Sequence, residues 1–139
     1  MPRLTRYLIK TAFVYLAVAL VLGLLLTARA AFDLPAEIAA FSPVFFHVLM
    51  VGWVTQLIFG MLFWMLPKYS KEQPRGSERL AWAAYLLLNV GLILRIVGEP
   101  LIVLQPEWGS GWLVLTSAIL QLLGGWVFIV CFWPRVKER

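Results

Sequence analysis

Four long apolar runs alternate with short polar stretches along the chain. The first runs from Leu8 to Ala28, the second from Phe41 to Leu66, the third from Leu80 to Leu104 and the fourth from Trp112 to Trp133. A helix needs about 20 apolar residues to cross a hydrocarbon core of about 30 Å, so each run is long enough to span. The pattern therefore predicts transmembrane helices at about 8–28, 41–66, 80–104 and 112–133. The first run is too long for the apolar region of a signal peptide and reads as a span. Residues 29–40 hold Arg29, Asp33, Pro35 and Glu37 and predict a polar loop with a short interfacial turn. Pro67 ends the second helix, and PKYSKEQPRGSER at 67–79 is the most polar stretch. Pro100 predicts an interruption or bend in the third helix, and QPEWGSG at 105–111 is a turn rich in breakers. The expected fold is all-α integral membrane, one transmembrane domain over 1–139 built as a four-helix up-down bundle.

Composition supports this. Hydrophobic residues make up 62% of the chain and charged residues only 14%, with a mean hydropathy of +0.86. Soluble domains carry about a quarter charged residues. The net charge of +5 sits at the ends of apolar runs, which points to topology and anionic headgroups and away from nucleic acid. Cys131 is the single cysteine, so no disulfide forms within the chain, and it reads as a small apolar helix residue.

Lys and Arg divide unevenly between the two sides. Arg3, Arg6, Lys10, Lys68, Lys71, Arg75, Arg79, Arg135, Lys137 and Arg139 fall on one side, with Arg29 alone on the other. By the positive-inside rule both termini and the middle loop face the cytoplasm, which makes the chain a multi-pass protein of the cytoplasmic membrane.

Chemistry gathers in the outer half of the predicted bundle. His47, the only histidine, lies in the second apolar run. An ionisable side chain there is costly and marks a candidate site, and neutral imidazole is a common ligand for metals and haem iron. At 1.5 Å per residue His47 lies about 9 Å below the outer boundary, Arg95 about 14 Å and Glu99 about 8 Å. Arg95 and Glu99 are also spaced to share a helix face. They pair with each other, or Arg95 additionally reaches an acidic ligand group such as a haem propionate. Asn89 falls further inward and off that face. His47 itself reads either as a histidine bonded to backbone carbonyls or as a ligand. Projected at 100° per residue, His47, Met50, Val51, Val54, Ile58, Met61 and Met65 share a face along which a flat macrocycle or another helix can lie. Trp53, away from the aromatic belts, is placed to pack against a cofactor. Gly52, Gln56 and Gly60 form a small-residue seam with a polar side chain to bond across it, and Ser117, Gln121, Gly124 and Gly125 read similarly on the fourth helix.

The segment His47-x4-Gly52-Trp53…Gly60…Trp64-x2-Pro67 resembles the haem-ligand helix of the heme-copper oxidase subunit I superfamily, especially in the NnrS-like membrane proteins linked to nitric oxide. The likeness covers about 25 residues and extends loosely into the third helix. It implies haem b with His47 as axial ligand to iron; the helix-face projection and depth, apart from the resemblance, put Met50, Val51, Val54, Trp53 and Arg95 near it. A full catalytic subunit of that superfamily has about a dozen helices and further histidines for copper. A chain with one histidine cannot build the copper centre, so only the ligand role carries over.

A second copy can supply the other axial ligand through its own His47, which makes a haem-sharing homodimer. Met50 of a partner chain can do so instead, or the iron can stay five-coordinate and open to a diatomic gas. The leading expectation is therefore a small membrane haem b protein for electron transfer or for binding nitric oxide or oxygen, with a redox partner protein. The alternatives are a non-catalytic accessory or assembly subunit of a respiratory complex, and a small oligomeric transporter using Arg95 and Glu99. No nucleophile with its base, phosphate loop or zinc site is visible, and no catalytic residue is assigned.

Overall fold

The computed structural model describes residues 1–70 and 75–136. Every regular element among them is helical. Four helices are long and apolar enough to cross a membrane: Arg3–Phe32, Ala36–Met65, Glu78–Leu104 and Gly111–Arg135, called here the first to the fourth. Lys71, Lys137 and Arg139, which enter the charge asymmetry, lie outside the described residues.

The helices overrun the apolar runs that announce them. The first begins at Arg3, because Leu4, Thr5 and Leu8 pack inward while Arg3 and Arg6 stay exposed. Mean hydropathy is blind to such an amphipathic turn. Its last turn holds Arg29, a cation near the negative end of the helix dipole. Asp33 then takes the left-handed conformation, with φ of 48°, which short polar side chains tolerate. Most of the expected loop at 29–40 is therefore helical, and the 3₁₀ turn Ala36–Phe41 opens the second helix.

Pro100 neither interrupts nor ends the third helix, which is continuous over Glu78–Leu104. Proline costs that helix one backbone bond, and packing offsets the loss. Pro100 and Gly98 are buried, and a Cβ on Gly98 would stand 2.9 Å from Val114 Cγ2 of the fourth helix. The helix starts at Ser77, whose Oγ accepts the Leu80 N–H at 3.4 Å, with Glu78 in the first turn.

The second helix changes pitch. It is α-helical over Ser42–His47, π-helical over Val48–Thr55 and α-helical again over Gln56–Met65. The Thr55 hydroxyl donates to the Met50 carbonyl at 2.9 Å, bridging the wider turn. Such π turns are uncommon and gather at functional sites.

Glycines set the helix spacing. A Cβ on Gly91 would lie 3.0 Å from the Ser117 carbonyl oxygen, and one on Gly124 would lie 3.3 Å from that of Ala84, so the third and fourth helices meet nearly backbone to backbone. Gly52 lies against Tyr15, and Gly60 against Leu8 and Ile9, which brings the second helix onto the first. Gly125, expected on such a seam, has nothing within 4 Å and faces outward.

One apolar cluster joins Leu4 and Leu8 to Phe63, Ala81, Ala84, Phe128, Cys131 and Phe132. It unites the starts of the first and third helices with the ends of the second and fourth, so the helices alternate in direction and both ends of the chain lie together. Phe59 and Phe128 stack there, and the Cys131 thiol meets the Ser77 carbonyl at 3.7 Å.

Arg135, expected as part of a basic tail, is instead 1% exposed. Its guanidinium donates to the carbonyls of Phe63 at 3.3 Å, Leu66 at 2.8 Å and Pro67 at 3.1 Å. It also lies over the Phe63 and Phe132 rings. A helix end leaves its last carbonyls unpaired, and this cation closes the end of the second helix from the fourth. Arg135→Met keeps the bulk and removes the donors. It should lower unfolding stability in detergent by about 3 kcal/mol, the order expected when several buried acceptors lose a charged donor. The matched Lys68→Met, at an exposed position, should leave the unfolding midpoint unchanged.

Candidate functional site

Two polar layers cross the bundle. The inner one is neutral. Gln56 and Asn89 form a reciprocal amide pair, each side-chain nitrogen donating to the other's oxygen at 3.1 and 3.2 Å. The Tyr15 hydroxyl donates to Asn89 Oδ1 at 3.0 Å, and Asn89 Nδ2 donates to the Tyr85 carbonyl at 2.8 Å. The Tyr85 and Thr11 hydroxyls meet at 2.9 Å. This layer ties the first three helices together. Buried amides are tolerated in apolar surroundings only when their bonds are made, and here both amides find partners. Asn89, off the site face in sequence, belongs to this layer, as does Gln56.

The outer layer is charged and built around Glu99, whose side chain is 9% exposed. Glu99 Oε1 accepts from Arg95 Nη1 at 3.2 Å, one helical turn away. The same oxygen lies 3.0 Å from His47 Nδ1 on the second helix. Arg95 Nε donates to Ser117 Oγ on the fourth helix at 3.1 Å, and Ser117 donates onward to the Gly91 carbonyl at 2.7 Å. Gln121 Nε2 also donates to Ser117 Oγ, at 3.3 Å. His47 and Arg95, placed at depths compatible with Glu99 by helical rise, thus meet on one oxygen of its carboxylate.

The imidazole contacts fix its chemistry. Nδ1 faces two acceptors, the Glu99 carboxylate and the Pro43 carbonyl at 2.9 Å. The carbonyl can only accept, so the bond to Pro43 puts a hydrogen on Nδ1. In the neutral ring the lone pair then sits on Nε2, which has no hydrogen-bond partner among the described residues. The side chain of His47 is 33% exposed, and the neighbouring Met50 is 55% exposed on the outer surface. A metal-binding histidine is commonly held this way, with the far ring nitrogen donating to a carboxylate or carbonyl and the near one free.

The remaining residues of the candidate set divide. Ile58, Met61 and Met65 are exposed with Met50, so the face projected for a macrocycle points out of the bundle. Val51, Trp53 and Val54 are half-buried, and the Trp53 indole nitrogen is enclosed without a partner among the described residues. Arg95 is committed first to Glu99 and Ser117, which leaves other guanidinium donors for a further anion. Glu99 Oε2 is buried and unpartnered among the described residues.

A single ligand to haem iron fits what one chain offers, an imidazole anchored at Nδ1 and partly exposed. A complete metal site does not, since no group of three or more His, Cys, Asp or Glu converges among the described residues. The contact of His47 with the Pro43 carbonyl is the backbone bonding that one of the two readings of this residue expected, whereas nothing in the residue types announces the π turns. Comparison of the chain with protein-family models, with curated proteins and with solved structures finds no match.

The three charged or polar groups should be energetically coupled. Glu99→Leu strands the Arg95 guanidinium, and Arg95→Leu strands the carboxylate. Removing both should cost less than the sum of the singles by roughly 2–4 kcal/mol, because each single leaves an uncompensated buried charge. A double-mutant cycle on unfolding in detergent measures this, and strictly additive losses would contradict the shared contact.

Proposed function

We propose that the chain is a multi-pass membrane protein that binds haem b, with His47 Nε2 as an axial ligand to the iron. The observation that carries the reading is the convergence of the Glu99 carboxylate and the Pro43 carbonyl on His47 Nδ1. It leaves Nε2 without a hydrogen-bond partner among the described residues, on a side chain that is 33% exposed. Four apolar helices with both chain ends together support membrane placement, and the uneven Lys and Arg distribution supports cytoplasmic termini. The resemblance of the His47-to-Pro67 segment to the haem-ligand helix of the heme-copper oxidase superfamily supports the same ligand role.

The partly exposed imidazole bears on the assembly. A second copy placed against this face brings its own His47 to the other side of the macrocycle, and a twofold arrangement needs no additional residue. Exposed Met50 lies beside the ring as an alternative thioether ligand from the partner chain. Haem supplies one-electron chemistry when bound. The protein's own contribution is to hold the imidazole at Nδ1, to strengthen its basicity through the carboxylate, and to balance that carboxylate with Arg95. This equips the chain for electron transfer, or for diatomic gas binding if an axial position opens.

Full-length protein made with haem supplied and purified in mild detergent should be red, with a Soret band. His47→Ala should abolish the band, and added imidazole should restore part of it. A bis-histidine site should run as a dimer carrying one haem per two chains, with little change in the reduced spectrum under carbon monoxide. A large carbon monoxide shift would indicate five-coordinate iron. Colourless protein that takes up no added haem would sink the reading and leave His47 as an interhelix contact, as in an accessory subunit.

A further inference from the structure

We propose that the end of the bundle where the chain begins carries a binding site for the phosphate of an anionic phospholipid. Arg3, Arg6, Tyr7 and Lys10 follow the spacing of a single helix face, and together they line a cleft of about 340 Å³. The opposite face of the same turns holds Leu4, Thr5 and Leu8, all buried in the bundle. The cations are therefore held outward by packing behind them. The Tyr7 ring meets Trp82 of the third helix edge-on, with centroids 5.4 Å apart, which fixes one wall.

The charge in this cleft has no ion-pair partner among the described residues. Among the described residues both ion pairs lie on Glu99, in the other half of the bundle, and none involves Arg3, Arg6 or Lys10. The first turn of the helix contains no acidic residue, and Pro2 provides no side-chain cap. Two guanidinium forks, an ammonium and a phenol are suited to the oxygens of a phosphodiester.

The continuation of the face selects a lipid over a free phosphate ester. Moving along the helix past Lys10, the same stripe passes through Val14, Val21 and Leu24, all exposed. A ligand that is anionic at one end and apolar along its length satisfies both parts, whereas a soluble phosphate uses only the first. The site is independent of haem and lies away from His47.

The test uses the full-length purified protein in detergent, with native mass spectrometry of retained phosphatidylglycerol against phosphatidylcholine. Wild type should prefer phosphatidylglycerol by at least about tenfold, given the attraction of each surface cation for anionic lipid. The R3Q/R6Q/K10Q variant should fall to the phosphatidylcholine level. K68Q/R75Q/R79Q, which removes equal charge from the same end, should keep the preference. Arg6→Gln alone, which leaves most of the topological charge in place, should lose it by roughly fivefold. No preference in wild type, equal losses in the two triple variants, or an unchanged preference in Arg6→Gln would each overturn the assignment. Displacement by soluble glycerophosphate at the same concentration would reassign the cleft to a free phosphate ester and overturn the lipid reading.

Discussion

A carboxylate oxygen shared by two helices is the constraint on which the half of this molecule away from the chain ends depends. Glu99 is largely withdrawn from the surface, its side chain 9% exposed, where a lone negative charge is strongly disfavoured. Arg95 balances it from the same helix, and the His47 ring takes its second contact from the facing one. Through Ser117 the guanidinium also reaches the fourth helix. One charge thus holds three helices in register, while the Pro43 carbonyl accepts from the imidazole Nδ1.

The inner layer works differently. Gln56, Asn89, Tyr15 and Tyr85 are neutral and supply one another's bonds, so the layer specifies alignment and leaves no atom reaching for a ligand. In the proposed bilayer, apolar side chains gain little by leaving lipid for one another, and close glycine contacts and polar bonds carry helix association. The backbone approaches at Gly91 and Gly124 serve this for the third and fourth helices. At the opposite end from Glu99, Arg135 closes the second helix internally while Arg3, Arg6 and Lys10 remain outward. The basic residues of one side therefore differ in what they can bind.

Hydropathy alone located all four helices, because lipid-length apolar runs have few other solutions. It placed their ends poorly where amphipathic turns extend them, as at Arg3 to Tyr7 and at Ala36 to Phe41. Helical rise brought His47, Arg95 and Glu99 to one level, since depth depends only on residue count. It could not show which oxygen faced which nitrogen. Asn89 was legible as inward but not as the partner of Gln56, because that contact depends on the rotation of two separate helices. Arg135 reads in sequence as one more tail charge, and only the arrival of the fourth helix beside the end of the second reveals its carbonyl partners. Pro100 illustrates the same limit, as neighbouring backbone decides whether a proline breaks a helix.

The widened stretch from Val48 to Thr55 separates two demands on the second helix. Below it, Gly60 must face the first helix closely; above it, His47 must meet Glu99. A uniform α-helix locks the azimuth of one to that of the other. The looser turns act as a phase adjuster, so the docking seam and the imidazole can each be aimed on its own terms within a single unbroken rod.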